Sequence, residues 1–267
     1  MKRVGLLLLT MAMVGMALTA CGGGEPANHL EAIKDAGKLV VGTSADFPPF
    51  EFVDENGDFA GFDIALAEAI GEKLGVEVEI ADMPFDSLLA AVQEGKIDVV
   101  IAALNYTPER DENVDFTDPY LESVTVLVVD EGFEGSLETV EDVAQYVLGA
   151  QTGSTQDTWV TETLIDSGLM TDENFFRYER VDQGILELQA GRIDIYVVDI
   201  SPAEAFAEEM GGLEIIHMDE SILEPSPMNI ALPEGDAELQ AELNSILAEL
   251  KDAGTITELE FEWIYSE

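Results

Sequence analysis

The chain has 267 residues, enough for two lobes rather than one compact core. Its 56 acidic residues outnumber 11 basic ones and give a net charge of −45, which excludes nucleic-acid binding because phosphate contacts need basic stripes. The acidic residues are scattered, as on a solvated surface, and such a surface suits a saline habitat where salt screens the self-repulsion.

The first twenty residues have the organisation of a bacterial export signal. Lys2 and Arg3 precede the apolar run 4–18, which is short for a membrane span, and Leu18-Thr19-Ala20-Cys21 follows it. This order resembles the lipobox of bacterial lipoproteins. It predicts a signal peptide over 1–20 and a lipid on Cys21. The alternative is an ordinary secretory signal with an incidental cysteine, and a lone cysteine excludes an internal disulfide.

Behind the signal, residues 21–37 begin with three glycines and are predicted to form the lipidated N-terminus and a flexible tether. Residues 38–41 form an apolar run typical of a buried strand. Apolar residues recur at helical spacing over 62–74, and residues 76–80 alternate like a strand. Strand, helix and strand in this order predict an α/β lobe.

One pattern occurs twice in the chain. Residues 88–100 (LLAAVQEGKIDVV) and 185–197 (ILELQAGRIDIYV) each contain a helical stretch, a glycine, a basic residue and an apolar strand with an aspartate in the same place. Two copies are too few for a solenoid. The repetition instead predicts two lobes that are built alike.

The apolar run at 123–129 could carry the chain from one lobe to the other, and residues 228–232 could bring it back. We therefore expect lobe 1 over 38–122 and 228–267, and lobe 2 over 123–227 with hinge strands at its ends. Two such crossovers form a natural hinge around a cleft.

Arg110 follows the predicted strand that ends near Ala102, and ligands of α/β folds lie beyond the carboxyl ends of strands. A guanidinium group matches a carboxylate with two parallel hydrogen bonds. Arg110 is therefore a candidate for binding an acidic group. A surface salt bridge with Glu109 or Asp111 is the alternative.

Two further candidates follow strands of the second lobe. Ser154 or Thr155 is placed to cap a helix, whose N-terminus offers free N–H groups to an anion. Asp199 ends the strand 193–198, where its carboxylate could accept an ammonium group. The alternative for the first pair is a cap without a ligand, and for Asp199 it is the N-cap of a helix beginning at Pro202.

Four motifs together resemble the family 3 bacterial solute-binding proteins, which are the polar amino-acid binders of ABC importers. They are GTSADFPPFEF at 42–52, GFDI at 61–64, TPER at 107–110 and VDFTDPY at 114–120. The resemblance runs from about residue 38 to the end and includes the lipobox. It implies an α/β, two-lobed periplasmic-binding-protein fold of type II-like form, with a mixed sheet flanked by helices in each lobe and two hinge crossovers.

The resemblance also implies a function. A monomeric, lipid-anchored protein, facing the periplasm or the cell exterior, would capture an amino acid between its lobes and deliver it to a membrane permease. Arg110 would hold the α-carboxylate, with Ala103, Asn105 and Thr155 as further donors. Asp199 would take the α-ammonium group.

By the same resemblance, Phe47 and Phe85 match the aromatic pair that packs on the ligand side chain, and core packing is the alternative for both. The net charge of −47 after loss of the signal favours a polar or cationic L-amino acid over an anionic one. Ser44 lies where many members that bind cationic or amide side chains have an acid, so the sequence leaves the particular amino acid open. The expected ligand-binding residues are Ser44, Phe47, Phe85, Ala103, Asn105, Arg110, Gln151, Ser154, Thr155 and Asp199.

Two other functions would fit the same fold. A dehydratase-like enzyme acting on a small carboxylic acid would be expected to lose Asp199, because its substrate need not carry an amine. A ligand-sensing module would need a membrane span or an effector domain. We expect no catalytic residue, no cofactor and no metal site, since His29 and His217 lie in no cluster of metal ligands.

Overall fold

The computed structural model describes residues 28–219 and 222–265, which form two α/β lobes. The signal peptide and Cys21 lie outside the described residues. No helix in the described part is both long and apolar enough to cross a bilayer.

The secondary structure alternates between strands and helices, as the apolar patterns predict. In chain order the elements are α1 (His29–Ala36), β1 (Lys38–Thr43), β2 (Asp46–Phe47), β3 (Glu51–Val53), β4 (Phe59–Ala60), α2 (Phe62–Leu74), β5 (Glu77–Asp82), α3 (Leu88–Gln93), β6 (Val99–Val100), α4 (Pro108–Asp111), β7 (Val114–Phe116), β8 (Leu121–Ser123), β9 (Thr125–Asp130), α5 (Val140–Val143), β10 (Leu148–Gln151), α6 (Thr155–Trp159), β11 (Phe175–Tyr178), α7 (Val181–Gln189), β12 (Ile195–Asp199), α8 (Ile200–Met210), β13 (Leu213–Ile216), β14 (Ser226–Met228), β15 (Ala231–Pro233), α9 (Ala237–Ala253) and α10 (Thr255–Leu259). Wider π-type turns at Val160–Ile165 and Glu260–Ile264 extend α6 and α10.

The two large sheets have equivalent topologies. Lobe 1 has the strand order β5-β1-β6-β15-β7 and lobe 2 the order β11-β10-β12-β9-β13. In each sheet the first three strands are parallel and the last two join antiparallel. Helices cover both faces, with α2 and α9 opposite α3 in lobe 1. The predicted α/β fold with a mixed sheet in each lobe is confirmed.

The repeated sequence pattern has a structural cause. Gly95 and Gly191 both end a helix with a φ of +66°, a conformation that glycine adopts without steric cost. The aspartate after each glycine then anchors the start of a neighbouring strand. Val40 N–H donates to Asp98 at 2.7 Å, and the N–H of residue 147 donates to the aspartate at 194 at 2.9 Å.

The chain crosses between the lobes at β8 and β14, which pair antiparallel with Ser123 opposite Ser226. The run at 123–129, predicted to carry the chain across, continues into β9, an inner strand of the lobe 2 sheet whose residues 126–129 are buried. The β-branched residues of β9 pack in the core of lobe 2. The return at 228–232 likewise runs into β15 of lobe 1. The exact lobe limits stay a prediction.

The segment predicted as a flexible tether contains helix α1. Asn28 caps the helix by accepting from Glu31 N–H at 2.8 Å, and Gly37 ends it in a left-handed conformation. Ile33 packs into the core of lobe 1 with 2% of its surface exposed. Residues 28–36 are therefore part of the folded body, because the apolar face of α1 finds a place to be buried.

Candidate ligand-binding site

A cavity lies between the lobes, beyond the carboxyl ends of β1, β6, β10 and β12. Both lobes contribute to it. Nine of the ten residues predicted from sequence line it; they are Ser44, Phe47, Phe85, Ala103, Asn105, Gln151, Ser154, Thr155 and Asp199. The other lining residues are Glu51, Ala102, Gln156, Val181 and 196–198. Arg110 lies beside the cavity rather than in its lining.

Asp199 is buried on the lobe 2 side, with 3% of its surface exposed. It occupies the N-cap position of α8, but its side chain makes no capping hydrogen bond. Its Oδ1 instead accepts from Gln156 Nε2 at 2.8 Å and from Thr125 Oγ1 at 3.3 Å. Burial raises the pKa of Asp199 to about 6, and hydrogen bonds from Ser123, Thr125 and Gln156 oppose that rise. The carboxylate is therefore mostly ionised at neutral pH and turned toward the cavity.

Arg110 closes one end of the site and joins the two lobes. Its Nη1 donates to the carbonyl of Asn105 at 2.6 Å, and its Nη2 donates across the cleft to the carbonyl of Gly153 at 2.9 Å. The guanidinium carbon lies 5.6 Å from the ring centre of Phe85. Burial lowers its pKa to about 10, so the group keeps its charge.

No carboxylate of the described residues forms an ion pair with Arg110. The alternative of a surface salt bridge to Glu109 or Asp111 is therefore wrong for this structure. A guanidinium group has five N–H donors, and two carbonyl contacts leave donors for an anionic ligand.

Thr155 and Asn105 meet across the cleft. Thr155 Oγ1 donates to Asn105 Oδ1 at 3.1 Å. Ser154, the other candidate cap, is the one that caps α6, by accepting from Asp157 N–H at 3.1 Å. Thr155 is left at the first turn of the helix, facing lobe 1.

Ala103 is placed differently from the prediction. Its φ of +45° is the only positive value of a non-glycine residue in the described chain. This strained turn directs its N–H to the carboxylate of Asp63, 2.5 Å away. The N–H that was expected to donate to the ligand therefore donates to Asp63 inside lobe 1, although Ala103 itself lines the cavity.

Glu51 is the acidic residue of the cavity that site prediction omitted. It has 1% of its surface exposed, and its Oε2 accepts no hydrogen bond from an N–H or hydroxyl group. Burial raises its pKa well above the usual range, and the nearby charges of Asp63 and Asp46 add to the rise. Its place in the motif at 42–52 was the only signal in the sequence.

Several buried polar atoms around the cavity lack a partner within the described protein. They are Glu51 Oε2, Asn105 Nδ2, Gln151 Nε2 and the hydroxyl of Tyr196. An unpaired buried polar group typically costs about 1–3 kcal/mol. Both donors and acceptors occur among them, so a ligand with groups of both kinds would satisfy them.

Contacts outside the cavity hold the lobes together. Arg180 of lobe 2 forms ion pairs with Asp82 at 2.7 Å and with Asp46 at 3.5 Å, both in lobe 1. Asp46 also accepts from the backbone N–H of Val181 and from Ser44 Oγ at 2.7 Å. Ser44 thus lines the cavity, while its hydroxyl donates its hydrogen bond to Asp46. The structure is a closed arrangement of the lobes.

Phe47 and Phe85 contribute apolar surface to the cavity. Phe47 stacks on Phe50, with ring centres 6.0 Å apart, and contacts the cores of both lobes. Phe85 lies in a short helical turn before α3, beneath Arg110. Among residues 28–219 and 222–265, no group of three or more His, Cys, Asp or Glu side chains is placed to hold a metal ion.

A closed cleft between two equivalent α/β lobes, with charged groups of both signs at it, defines a solute-binding protein. The chain matches the bacterial extracellular solute-binding proteins, family 3, over residues 39–266, and it belongs to this family. It is 30% identical to the arginine-binding extracellular protein ArtP of Bacillus subtilis (strain 168), over 98% of both chains.

Solved structures agree with this assignment. The P235GK mutant of ArgBP from T. maritima superposes with a TM-score of 0.82 at 38% identity, over 89% of this chain and 99% of that one. An ancestral arginine-binding protein bound to arginine gives a TM-score of 0.78 at 39% identity, over 85% and 98% of the two chains. The predicted family and two-lobed fold are confirmed.

Proposed function

We propose that this protein captures a cationic L-amino acid, foremost arginine, and delivers it to the permease of an ABC importer. The observation that carries the proposal is the set of three ionisable groups at one closed cleft. Asp199 and Arg110 match the two charges of an amino-acid backbone, and Glu51 matches a positive side chain. The similar proteins named as arginine-binding support the same ligand.

Recognition of the backbone rests on opposite charges at opposite walls. A closing cleft strips water from a zwitterion, so each charge needs a fixed partner. Asp199 offers an ionised carboxylate, and Arg110 offers the N–H groups that its two carbonyl contacts leave over. Asn105 Nδ2 and the start of α6 at Thr155 add donors for the α-carboxylate.

Recognition of the side chain rests on Glu51 and its surroundings. No lysine or arginine is among the described residues that line the cavity, so an acidic ligand side chain would have no cation to meet. Gln151 presents an unpartnered amide nearby, and Phe47 and Phe85 give apolar surface for an aliphatic stem. An acid at Glu51 takes the place of the one that Ser44 lacks.

The proposal extends to the location of the protein. Cleavage before Cys21 and lipidation there would hold a monomeric body at the outer face of the cytoplasmic membrane. The tether is shorter than the 21–37 segment predicted from sequence, because helix α1 is part of the folded body and begins at residue 29. A dehydratase-like activity has no supporting observation, since Asp199 is retained and is held by hydrogen bonds in the form that an ammonium group requires.

A thermal-shift screen of the twenty amino acids with the mature chain tests the proposal. A ligand at 100 times its Kd adds about 2.7 kcal/mol to the free energy of unfolding, which is readily seen as a rise in Tm. We expect arginine to give the largest rise, and lysine a smaller one. Stabilisation by glutamate or aspartate, with none by arginine or lysine, would contradict the proposed ligand class.

A further inference from the structure

Beneath the cavity, the carboxyl groups of Glu51 and Asp63 are neighbours, because the backbone N–H of Asp63 donates to the carbonyl of Phe50 at 2.8 Å. Both acids are buried, with 1% and 0% of their surface exposed. Asp63 Oδ2 accepts from Tyr120 Oη at 2.9 Å and from Ala103 N–H at 2.5 Å. Glu51 Oε2 and Asp63 Oδ1 have no hydrogen-bond partner among the described residues. Two adjacent carboxyl groups can share a hydrogen bond only if one of them carries a proton.

The surroundings of the pair contain more acids and no free cation. Asp46 on β2 is close enough to Glu51 on β3 for its charge to act on it, and Tyr120 donates to Asp63 from the segment after β7. Asp199 lines the same cavity from lobe 2. Arg180 is engaged in ion pairs with Asp46 and Asp82. In the described part of the chain, no basic side chain forms an ion pair with either member of the pair.

Two adjacent buried carboxyl groups resist joint ionisation, because the charges repel and water cannot solvate them. Burial raises the pKa of Asp63 to about 7, and raises that of Glu51 well above its usual range. Both directions agree with the lack of hydrogen-bond donors to Glu51 Oε2 and Asp63 Oδ1. We therefore expect the pair to hold at least one proton at neutral pH when no cation is beside it.

We propose that the Glu51–Asp63 pair gives up its shared proton when the cationic side chain of the ligand enters the cleft, so that binding and proton release are coupled. This inference rests on the proposed function. A cation within about 4–6 Å favours the ionised form of a carboxyl group. The proton leaves to solvent as the ligand charge arrives, so the net charge of the buried site stays constant.

The coupling helps the site to distinguish cationic from neutral ligand side chains. A neutral ligand side chain leaves the proton in place and meets a protonated carboxyl group. A cationic side chain meets two carboxylates, and its attraction to both exceeds the repulsion between them. Because protons and cations compete for the same pair, arginine binding should weaken as the pH falls, by up to about tenfold per pH unit where one proton is released.

Isothermal titration calorimetry of the mature protein tests the coupling. Arginine is titrated at pH 7.5 in two buffers that differ in their enthalpy of ionisation, and the difference in binding enthalpy gives the number of protons released. Asp46 and Asp199, with pKa values raised to about 6, are already ionised at this pH. We expect release of close to one proton, about 0.5–1, for arginine. Citrulline, its neutral isostere, should release almost none.

Two variants locate the source of the proton. Glu51→Gln should abolish the buffer dependence, because an amide cannot carry the proton. His29→Gln is the matched control. Hydrogen bonds to Asp98 and Asp236 of lobe 1, at 2.9 and 2.8 Å, raise the pKa of His29 above its usual value and hold it away from the pair, so its loss should leave the proton count unchanged.

The outcomes separate the inference from the function on which it rests. Arginine binding with the same enthalpy in both buffers would overturn the coupling and leave the proposed ligand intact. Equal proton release by Glu51→Gln and wild type would also overturn it. Absence of binding by both arginine and lysine would contradict the ligand class, and the coupling with it. The wild-type comparison decides the matter even if Glu51→Gln does not fold.

Discussion

The two walls of the cleft each bury one carboxyl group, and the two groups are in different states. Asp199 on lobe 2 and Glu51 on lobe 1 are equally inaccessible, at 3% and 1% exposure. Asp199 accepts hydrogen bonds from Gln156 and Thr125, and its pKa rises only to about 6. Glu51 receives no N–H or hydroxyl donor at Oε2, faces a second acid in Asp63, and has a pKa raised far above the usual range.

The difference shows that donors, rather than burial, decide the charge of a cleft residue. Asp199, held by hydrogen-bond donors, is mostly ionised at neutral pH and suits the ammonium group that every α-amino acid carries. The charge of Glu51 depends on what lies beside it, and so it suits the part of the ligand that varies. We therefore propose that one wall recognises the class of ligand and that the other selects within the class.

Removing the charge of Asp199 should have the largest effect on binding. Asp199→Ala leaves the buried ammonium group without a partner, which typically costs 2–5 kcal/mol, and binding should weaken by roughly 30-fold or more. Calorimetry with arginine measures this loss. Asp182→Ala, which removes an exposed acid of the same lobe, should stay within about twofold. Binding by Asp199→Ala within about threefold of wild type would refute the role given to Asp199.

The opposite charge of the backbone is tested by Arg110→Ala. This variant removes the partner of the α-carboxylate and the contact with Gly153 across the cleft, so we again expect a loss of roughly 30-fold or more. The α-methyl ester of arginine should bind wild type poorly for the same reason. Arg192→Ala, at an exposed ion pair, is the control. Full affinity for the ester would show that Arg110 does not hold a carboxylate.

The buried acids on both walls should also make the stability of the ligand-free protein depend on pH. Folding raises the pKa values of Asp199, Glu51 and Asp63, so the folded state binds more protons than the unfolded one. Their contribution to the stability of the ligand-free protein is greatest below about pH 4, and it is lost as the pH rises through the folded pKa values. Each unit of pKa shift corresponds to about 1.4 kcal/mol.

Thermal unfolding of the ligand-free protein should therefore show Tm rising as the pH falls from 7 to 5. Asp199→Asn should flatten this dependence around pH 6, and Glu51→Gln should also flatten it, because burial raises the pKa of Glu51 well above its usual range. A wild-type Tm that falls steadily over this range would contradict the raised pKa values on both walls.

The smallest effect on binding is expected from Cys21→Ser, because this residue is predicted to carry the lipid and not to contact the ligand. Affinity for arginine should be unchanged, while the protein should move from the membrane fraction to the soluble one on cell fractionation. Retention in the membrane as firm as that of wild type would show that Cys21 is not the anchor.

Local patterns were enough to predict the two lobes and most of the cavity. Helical spacing, the glycine stops at Gly95 and Gly191 and the repeated strands recur within short windows, and the end of each strand marks where the ligand groups lie. Helix α1 escaped prediction because its one deeply buried residue, Ile33, is stabilised by contacts with distant parts of lobe 1.

The protonation states of the buried acids at the cleft could not be predicted from the sequence. Asp63 is fixed by Ala103 and Tyr120, which lie 40 and 57 residues away along the chain. The donor to Asp199 comes from Gln156 on another helix, 43 residues away. A pKa depends on neighbours of this kind, and only the folded chain brings them together.

The affinity ratio of arginine to citrulline, measured by calorimetry on wild type and on Glu51→Gln, tests the central claim most directly. The two ligands share their backbone charges and shape and differ in the charge of the side chain. If Glu51 selects that charge, wild type should prefer arginine by about tenfold or more, equivalent to about 1.4 kcal/mol, and the preference should fall to near unity in Glu51→Gln. The same ratio in both proteins would contradict the account.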